Sequence, residues 1–163
     1  MIEIGFRNED RAVVGWLLRD YEQGLGVSLC FQDFDAEIAS LPGACAPPRG
    51  VFLTARFKGG RIAGLVALRC LDAGTGISEM KRLSVSPEAR GRGLGRELAL
   101  AVIAEARRLG YRHVRLDTLP SMAGAQALHA DLGFRDIANY TGNPIAGARF
   151  LELDLAAGAG SPR

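Results

Sequence analysis

Residues Arg90 to Arg96 read RGRGLGR, three arginines alternating with three glycines, and the residues after them have the spacing of an amphipathic helix. Glycine inside a regular element costs about 0.5–1 kcal/mol relative to alanine, so Gly91, Gly93 and Gly95 need a reason to stand so close together. A helix start supplies one. It offers unpaired backbone N–H groups and the positive end of the helix dipole, and glycine lets an anion approach that backbone. The run therefore reads as an anion cradle. Its spacing excludes two common kinds. A nucleotide-triphosphate loop requires Gly-Lys followed by Ser or Thr, whereas Gly95 is followed by Arg96 and Glu97. A dinucleotide fingerprint requires G-x-G-x-x-G directly after the first strand, and GRGLG lies mid-chain with a different spacing. A tight turn under a packed helix explains one or two of the glycines but not the interleaved arginines.

The positive charge is local. Arg82, Arg90, Arg92, Arg96, Arg107, Arg108, Arg112 and Arg115 lie together in the sequence, although the whole chain carries only +2, so an anionic visitor is expected beside the glycines. The small net charge and the lack of an aromatic strip beside the arginines argue against a nucleic-acid partner. At 163 residues the chain reads as a single domain over residues 1–155 with a flexible tail over 156–163. The longest uninterrupted apolar stretch, around Ala99 to Ala104, is far shorter than the roughly 20 residues of a membrane span, and no basic-then-apolar leader opens the sequence. Cys30, Cys45 and Cys70 are odd in number and widely spaced, without a C-x-x-C pair or neighbouring histidines. They read as free thiols in a reducing cytoplasm, with no metal site.

The elements that must position the cradle follow from alternating periods. Met1 to Phe6 reads as a strand, and Asn8 as the cap of a helix running to about Gln23, where Gly24 and Gly26 stop it. A second helix is expected from Asp33 to Ser40, then a Pro- and Gly-rich loop from Leu41 to Gly50. Two apolar runs joined at Lys58, Gly59 and Gly60 signal a hairpin. In the following strand, Ile77 to Val85, Met80 is out of phase with Ile77, Leu83 and Val85. Either both faces of that strand are buried, which is the simpler reading, or a bulge near Lys81 and Arg82 resets the register. The glycine run then leads into a helix from Leu94 to Leu109, ended by Gly110, and YRHVRLDTL returns as a strand, a unit that favours a right-handed crossover onto a parallel neighbour. A helix from Ser121 to Leu132 and two closing strands, in FRDIANY and GARFLELDL, complete the chain.

LSVSPEARGRGLGRELALAVIAEARRLGYRHVRLDT followed by AQALHADLGF resembles the GNAT superfamily of acyl-CoA-dependent N-acetyltransferases, in what looks like an unassigned bacterial branch. Arg90 to Gly95 fits that family's R/Q-x-x-G-x-G/A pyrophosphate loop, and Leu128 to Phe134 fits its late L-Y-x-x-x-G-F segment apart from one residue. The resemblance implies an α/β fold with a mixed, splayed sheet of six or seven strands flanked by about four helices. It implies acetyl-CoA as cosubstrate, its pyrophosphate held by Arg90, Gly91, Arg92, Gly93, Leu94, Gly95 and Arg96, and its pantetheine arm paired with Leu83, Ser84 and Val85 between strands ending at Val85 and Asp117. It also implies direct transfer of an acetyl group to the primary amine of a small molecule or peptide in a ternary complex. A longer acyl chain, an acyl-CoA sensor without turnover, and a homodimer are all compatible with the sequence.

Acyl transfer from a thioester to an amine needs a neutral amine, a donor to the developing oxyanion and a proton for the leaving thiolate. Glu79, in the strand leading to the cradle, is the favoured base, and Asp117 at the end of the next strand is the competing base or amine-binding carboxylate. Glu79 beside Lys81 and Arg82 also reads as an ion-paired strand residue. His129 stands where the family commonly has a tyrosine and can donate a proton near neutral pH, or it is a helix-surface residue and the thiolate leaves unaided or takes its proton from water. Met122 departs from the asparagine of many relatives. Tyr140 and Asn143, in NYTGNPIAG, line the acceptor pocket or are turn residues.

Overall fold

The structure is a computed structural model that describes residues 1–26 and 34–156. Seven strands form one sheet in the order β1-β2-β3-β4-β5-β7-β6. They are β1 (Ile2–Ile4), β2 (Val51–Arg56), β3 (Ile62–Asp72), β4 (Ile77–Val85), β5 (His113–Thr118), β6 (Arg135–Ile137) and β7 (Arg149–Asp154). Four α-helices cover it: α1 (Arg11–Leu25), α2 (Phe34–Ser40), α3 (Leu94–Arg108) and α4 (Ala123–Asp131). Every pairing is antiparallel except β4 with β5, which the α3 crossover makes parallel.

Both faces of the sheet are covered, which is why the central strands read as apolar runs rather than clean alternations. On one face Leu53, Val66, Leu68, Met80 and Val114 pack under Leu98, Val102 and Ile103 of α3. On the other Phe52, Leu65 and Ala67 meet Val14, Leu17 and Leu18 of α1 and Ile38 of α2.

β4 satisfies both explanations of its uneven pattern. It is buried on both faces, and it also carries a bulge: Ser84 pairs with Leu65 but Lys81 with Ala67, so β4 spends an extra residue there. Among the described residues Arg82 is the one non-glycine residue with positive φ, at 58°. That turn aims its buried guanidinium at Glu37 of α2, with Nη2 donating to Oε2 at 2.5 Å. The pairing of β4 with β5 ends at Glu79 and Arg115. Beyond that point the two strands part, so that β5 no longer pairs with the C-terminal half of β4, and Arg90 Nε reaches the Val85 carbonyl there at 3.1 Å. β4 is held on its other side by β3, where a methyl on Gly64 would lie 2.9 Å from the Ser84 carbonyl oxygen and 3.0 Å from Leu98 Cδ1. Gly64→Ala is therefore expected to destabilise the fold by about 1–3 kcal/mol through overpacking, read as a lowered urea midpoint.

Several boundaries differ from the sequence reading. Asn8 does not cap α1. It opens a single 3₁₀ turn over Asn8–Asp10, and its Oδ1 accepts from Arg11 Nη2 at 3.0 Å. The turn is anchored by Asp10, whose carboxylate accepts from Arg56 at 2.6 Å in a nearly buried pair. α1 then runs through Gly24 and stops at Gly26, which takes the left-handed conformation at φ 69°. α4 starts at Ala123 rather than Ser121, because Met122 at its N-cap has a non-helical backbone (φ −101°, ψ 48°), while the Ser121 hydroxyl donates to the Leu25 carbonyl at 3.1 Å. The expected strand in FRDIANY shortens to β6, and the chain from Ala138 to Ala148 becomes a loop. The start of the second helix at Asp33, the thiol of Cys30 and the tail beyond Ala156 lie outside the described residues. Cys45 and Cys70 are free thiols.

Candidate active site

Gly91 and Gly93 have φ of 73° and 80°, and a Cβ on either would meet nothing within 4 Å. Their glycines thus answer to backbone conformation and an open approach, not to packing. Gly93 caps α3 without a side-chain hydrogen bond, and the first amide bonded back to it is that of Glu97, at 3.1 Å. The amides of the first turn, Leu94 to Arg96, are left to face outward from the positive end of a 15-residue helix.

The arginines divide into roles that sequence could not separate. Arg90 holds the loop in place, donating from Nε to the Val85 carbonyl at 3.1 Å and from Nη2 to Asp20 at 2.8 Å. Arg96 pairs with Asp131 of α4, Arg82 with Glu37, and Arg115 with Glu152. Among the described residues Arg92 is exposed and has no side-chain partner, so it is the arginine of the run left for an anion. The expected positive field is smaller than the arginine count suggests, because carboxylates from other elements neutralise Arg82, Arg90, Arg96 and Arg115.

A cleft of about 430 Å³ opens on the α1/α2 face of the sheet, lined in part by Arg69, Glu79, Lys81, Asp117 and Asn143. Glu79, Asp117, Tyr140 and Asn143, far apart in sequence, come together there. Glu79 is 1 % exposed; its Oε1 accepts from Arg69 Nε at 2.8 Å and its Oε2 from the Tyr140 hydroxyl at 2.7 Å. Lys81 Nζ stands 3.9 Å from Oε1. Burial, then the neighbouring Glu79 carboxylate, hold the Tyr140 phenol far above its usual pKa, so it stays protonated and donates. Its ring packs edge-on against Phe150 and carries the Arg115 guanidinium 5.3 Å from its centre. Asn143 Nδ2 donates to Asp117 Oδ2 at 3.0 Å, while its Oδ1 accepts from the Ile145 amide. Asn143 thus does turn chemistry and cleft chemistry together. Asn139, which no sequence signal singled out, shapes the same loop by accepting from the amides of Thr141 and Gly142. Arg69 was missed as well, and its partnership with Glu79 follows from the β3–β4 register that sets the two residues opposite each other.

His129 is not a surface residue. It is 4 % exposed on α4, packed edge-on to Phe134 with centroids 5.4 Å apart, and its buried Nδ1 has no partner among the described residues. Burial lowers its pKa to about 4, so the ring is neutral at pH 7 and an imidazolium would have to form against desolvation. The sign for stability follows. Between the ordinary value near 6.5 and about 4 the unfolded chain binds a proton that the folded chain refuses, so stability falls as pH drops through that window. Between pH 7 and 5 the loss is about 2 kcal/mol. His129→Phe is expected to remove this acid sensitivity, checked by urea midpoints of both proteins at the two pH values. Met122, the other departure, lies just before α4, where its sulfur accepts from the Tyr21 hydroxyl at 3.6 Å.

A family profile described as the acetyltransferase (GNAT) family matches residues 11–134, a span that runs from α1 through the glycine loop to Phe134. The chain belongs to the GNAT family of acetyltransferases. An uncharacterised N-acetyltransferase of Schizosaccharomyces pombe is 37 % identical over 140 residues, covering 86 % of this chain and 85 % of that protein. In fold, a GNAT-family acetyltransferase of Staphylococcus aureus superposes with a TM-score of 0.81 at 18 % identity, over 95 % of this chain and 99 % of that one. The YncA acetyltransferase structure of Salmonella typhimurium, described with its cofactor acetyl-CoA, gives 0.68 at 24 % identity, over 95 % and 94 % of the two chains. The seven-stranded mixed sheet with four helices agrees with the fold implied by the family resemblance, and the chain is an acyl-transferring enzyme by family. Among the described residues no helix is long and apolar enough to cross a membrane.

Proposed function

We propose that this GNAT enzyme moves an acetyl group from acetyl-CoA to a primary amine by direct attack on the thioester in a ternary complex. The observation that carries the reading is the place of Glu79: it is the last β4 residue paired to β5, so its buried carboxylate stands where the strands begin to part and on the floor of the cleft. The edge of β4 at Leu83, Ser84 and Val85, which β5 leaves unpaired and where the Val85 carbonyl is shared with Arg90 Nε, suits the amides of the pantetheine arm, and the outward amides of Leu94 to Arg96, with the glycines before them and Arg92, suit the pyrophosphate. That a protein of the same fold is described with acetyl-CoA supports this assignment.

In this reading Glu79 takes a proton from the amine, directly or through a water, while Tyr140 and Arg69 hold its carboxylate in place. Asp117, two residues beyond the last β4–β5 pair, holds the incoming ammonium. The neutral amine attacks the thioester carbon, the tetrahedral intermediate collapses with cleavage of the C–S bond, and the second proton shed by the nitrogen passes through water to the departing thiolate, giving the CoA thiol. Thiolate is a fair leaving group, so departure does not require the buried His129 ring to be charged. The products are the N-acetyl amine, CoA and the proton taken from the ammonium. Screening primary amines with acetyl-CoA while following free thiol tests the activity. Initial-velocity lines that intersect fit the ternary complex, whereas parallel lines would point to an acetyl-enzyme instead.

A further inference from the structure

The charges in the cleft do not all cancel within the protein. Arg69 is paired with Glu79, and Arg82 with Glu37. Two groups remain. The Lys81 ammonium makes no hydrogen bond among the described residues and has only the long 3.9 Å contact to Glu79, which Arg69 already engages more closely. Asp117 receives one neutral amide hydrogen bond and no cation among the described residues. Both line the same cleft. Lys81 also lines a neighbouring cavity of about 390 Å³ under α2 and the 43–45 turn, so its stem lies between the two spaces and its side chain is only 16 % exposed. We infer that the acceptor is an amine that also carries a carboxylate, as an amino acid does, with its ammonium toward Asp117 and Glu79 and its carboxylate on Lys81.

The argument is one of desolvation and complementarity. An ammonium largely withdrawn from water costs free energy unless an anion meets it. Burial is the chief force lowering the Lys81 pKa, and the Arg82 charge adds to it, so a carboxylate delivered by a ligand would relieve both. A polyamine or other purely cationic acceptor would bring its second charge against Lys81, Arg69 and Arg82 instead, which is a repulsive arrangement. The carboxylate and ammonium of one small molecule suit a cleft that offers one unmatched cation and one unmatched anion.

This inference rests on the proposed amine acetylation, and the test keeps the two apart. Matched sets are offered with acetyl-CoA: an α-amino acid, its carboxamide, and the amine left after decarboxylation. The wild type is expected to favour the acid over both partners by about 10- to 100-fold in kcat/KM, the range of a charge-assisted hydrogen bond. In Lys81→Met that ratio should fall toward one, and in Lys81→Arg part of it should return. The ratio is the readout because losing Lys81 also changes the surroundings of Glu79. Equal or better use of the carboxamides and decarboxylated amines by the wild type overturns the inference while acetylation stands, as does an unchanged ratio in Lys81→Met. If no amine is turned over, the acetylation reading fails, and thermal shifts with the same compounds decide the recognition: stabilisation by the acids alone, lost in Lys81→Met, supports it, and no such stabilisation overturns it.

Discussion

Gly93→Asp should weaken CoA binding by about a thousandfold and leave the fold in place. Gly93 caps α3 at φ 80° with open space where a Cβ would go, so the new side chain meets no steric obstacle. The left-handed conformation costs a non-glycine residue roughly 1–2 kcal/mol. Aspartate is among the residues that tolerate it best, and a carboxylate beside a helix N-terminus is itself favourable. The same carboxylate would occupy the amides proposed for the pyrophosphate and repel it. Two like charges about 4 Å apart at an effective dielectric near 20 repel by about 4 kcal/mol, which is about three decades in dissociation constant. Gly93→Asn separates charge from conformation, since it brings similar bulk and strain without the charge, and it should keep most of the affinity. Calorimetric titration of CoA into both variants checks the pair, and an aspartate variant with wild-type affinity would move the pyrophosphate elsewhere.

Local signals were sufficient for the elements around this loop. Glycines at Gly26 and Gly93, apolar spacing in α3 and the hairpin turn at Gly60 are all written in neighbouring residues, and β2, β3, β4 and α3 lie where those signals put them. The candidate cleft is different in kind. Glu79 and Tyr140 are joined by a hydrogen bond across 61 positions, and Asp117 and Asn143 across 26. The sequence named all four residues, yet it gave no reason for Glu79 to choose Arg69 on the next strand over its own neighbours Lys81 and Arg82. That choice comes from register. Arg69 sits opposite Glu79, whereas the positive φ of Arg82 turns its side chain toward Glu37 on α2. His129 carried two readings in the sequence, a proton donor or a helix-surface residue, and the second falls because Phe134, five residues on, folds back onto the ring and leaves it 4 % exposed.

Glu79→Gln should lower turnover by about 10²- to 10⁴-fold, the usual contribution of a positioned general base, while the CoA dissociation constant changes little. Glutamine keeps the length and shape of the side chain and still offers an oxygen to the Tyr140 hydroxyl, which donates to Oε2 at 2.7 Å. It cannot satisfy both partners, because its amide N–H groups would face the Arg69 Nε donor that now stands 2.8 Å from Oε1. Arg69 is 35 % exposed, so it can turn outward, and some loss of stability must accompany the substitution. Thermal unfolding on the same sample therefore belongs to the experiment. A merely structural Glu79 would lower the unfolding temperature but leave turnover per folded molecule intact. A base would lower kcat and kcat/KM per folded molecule and remove the acid limb of the kcat/KM profile against pH. Asp117→Asn is the companion variant: it preserves the contact from Asn143 by a rotation of the amide and removes the competing carboxylate. If Asp117 binds the ammonium, its loss should raise KM more than it lowers kcat. If the acid limb survives in Glu79→Gln and vanishes in Asp117→Asn, the base is Asp117, and Glu79 is reduced to holding Arg69 and Tyr140 at the point where the strands part.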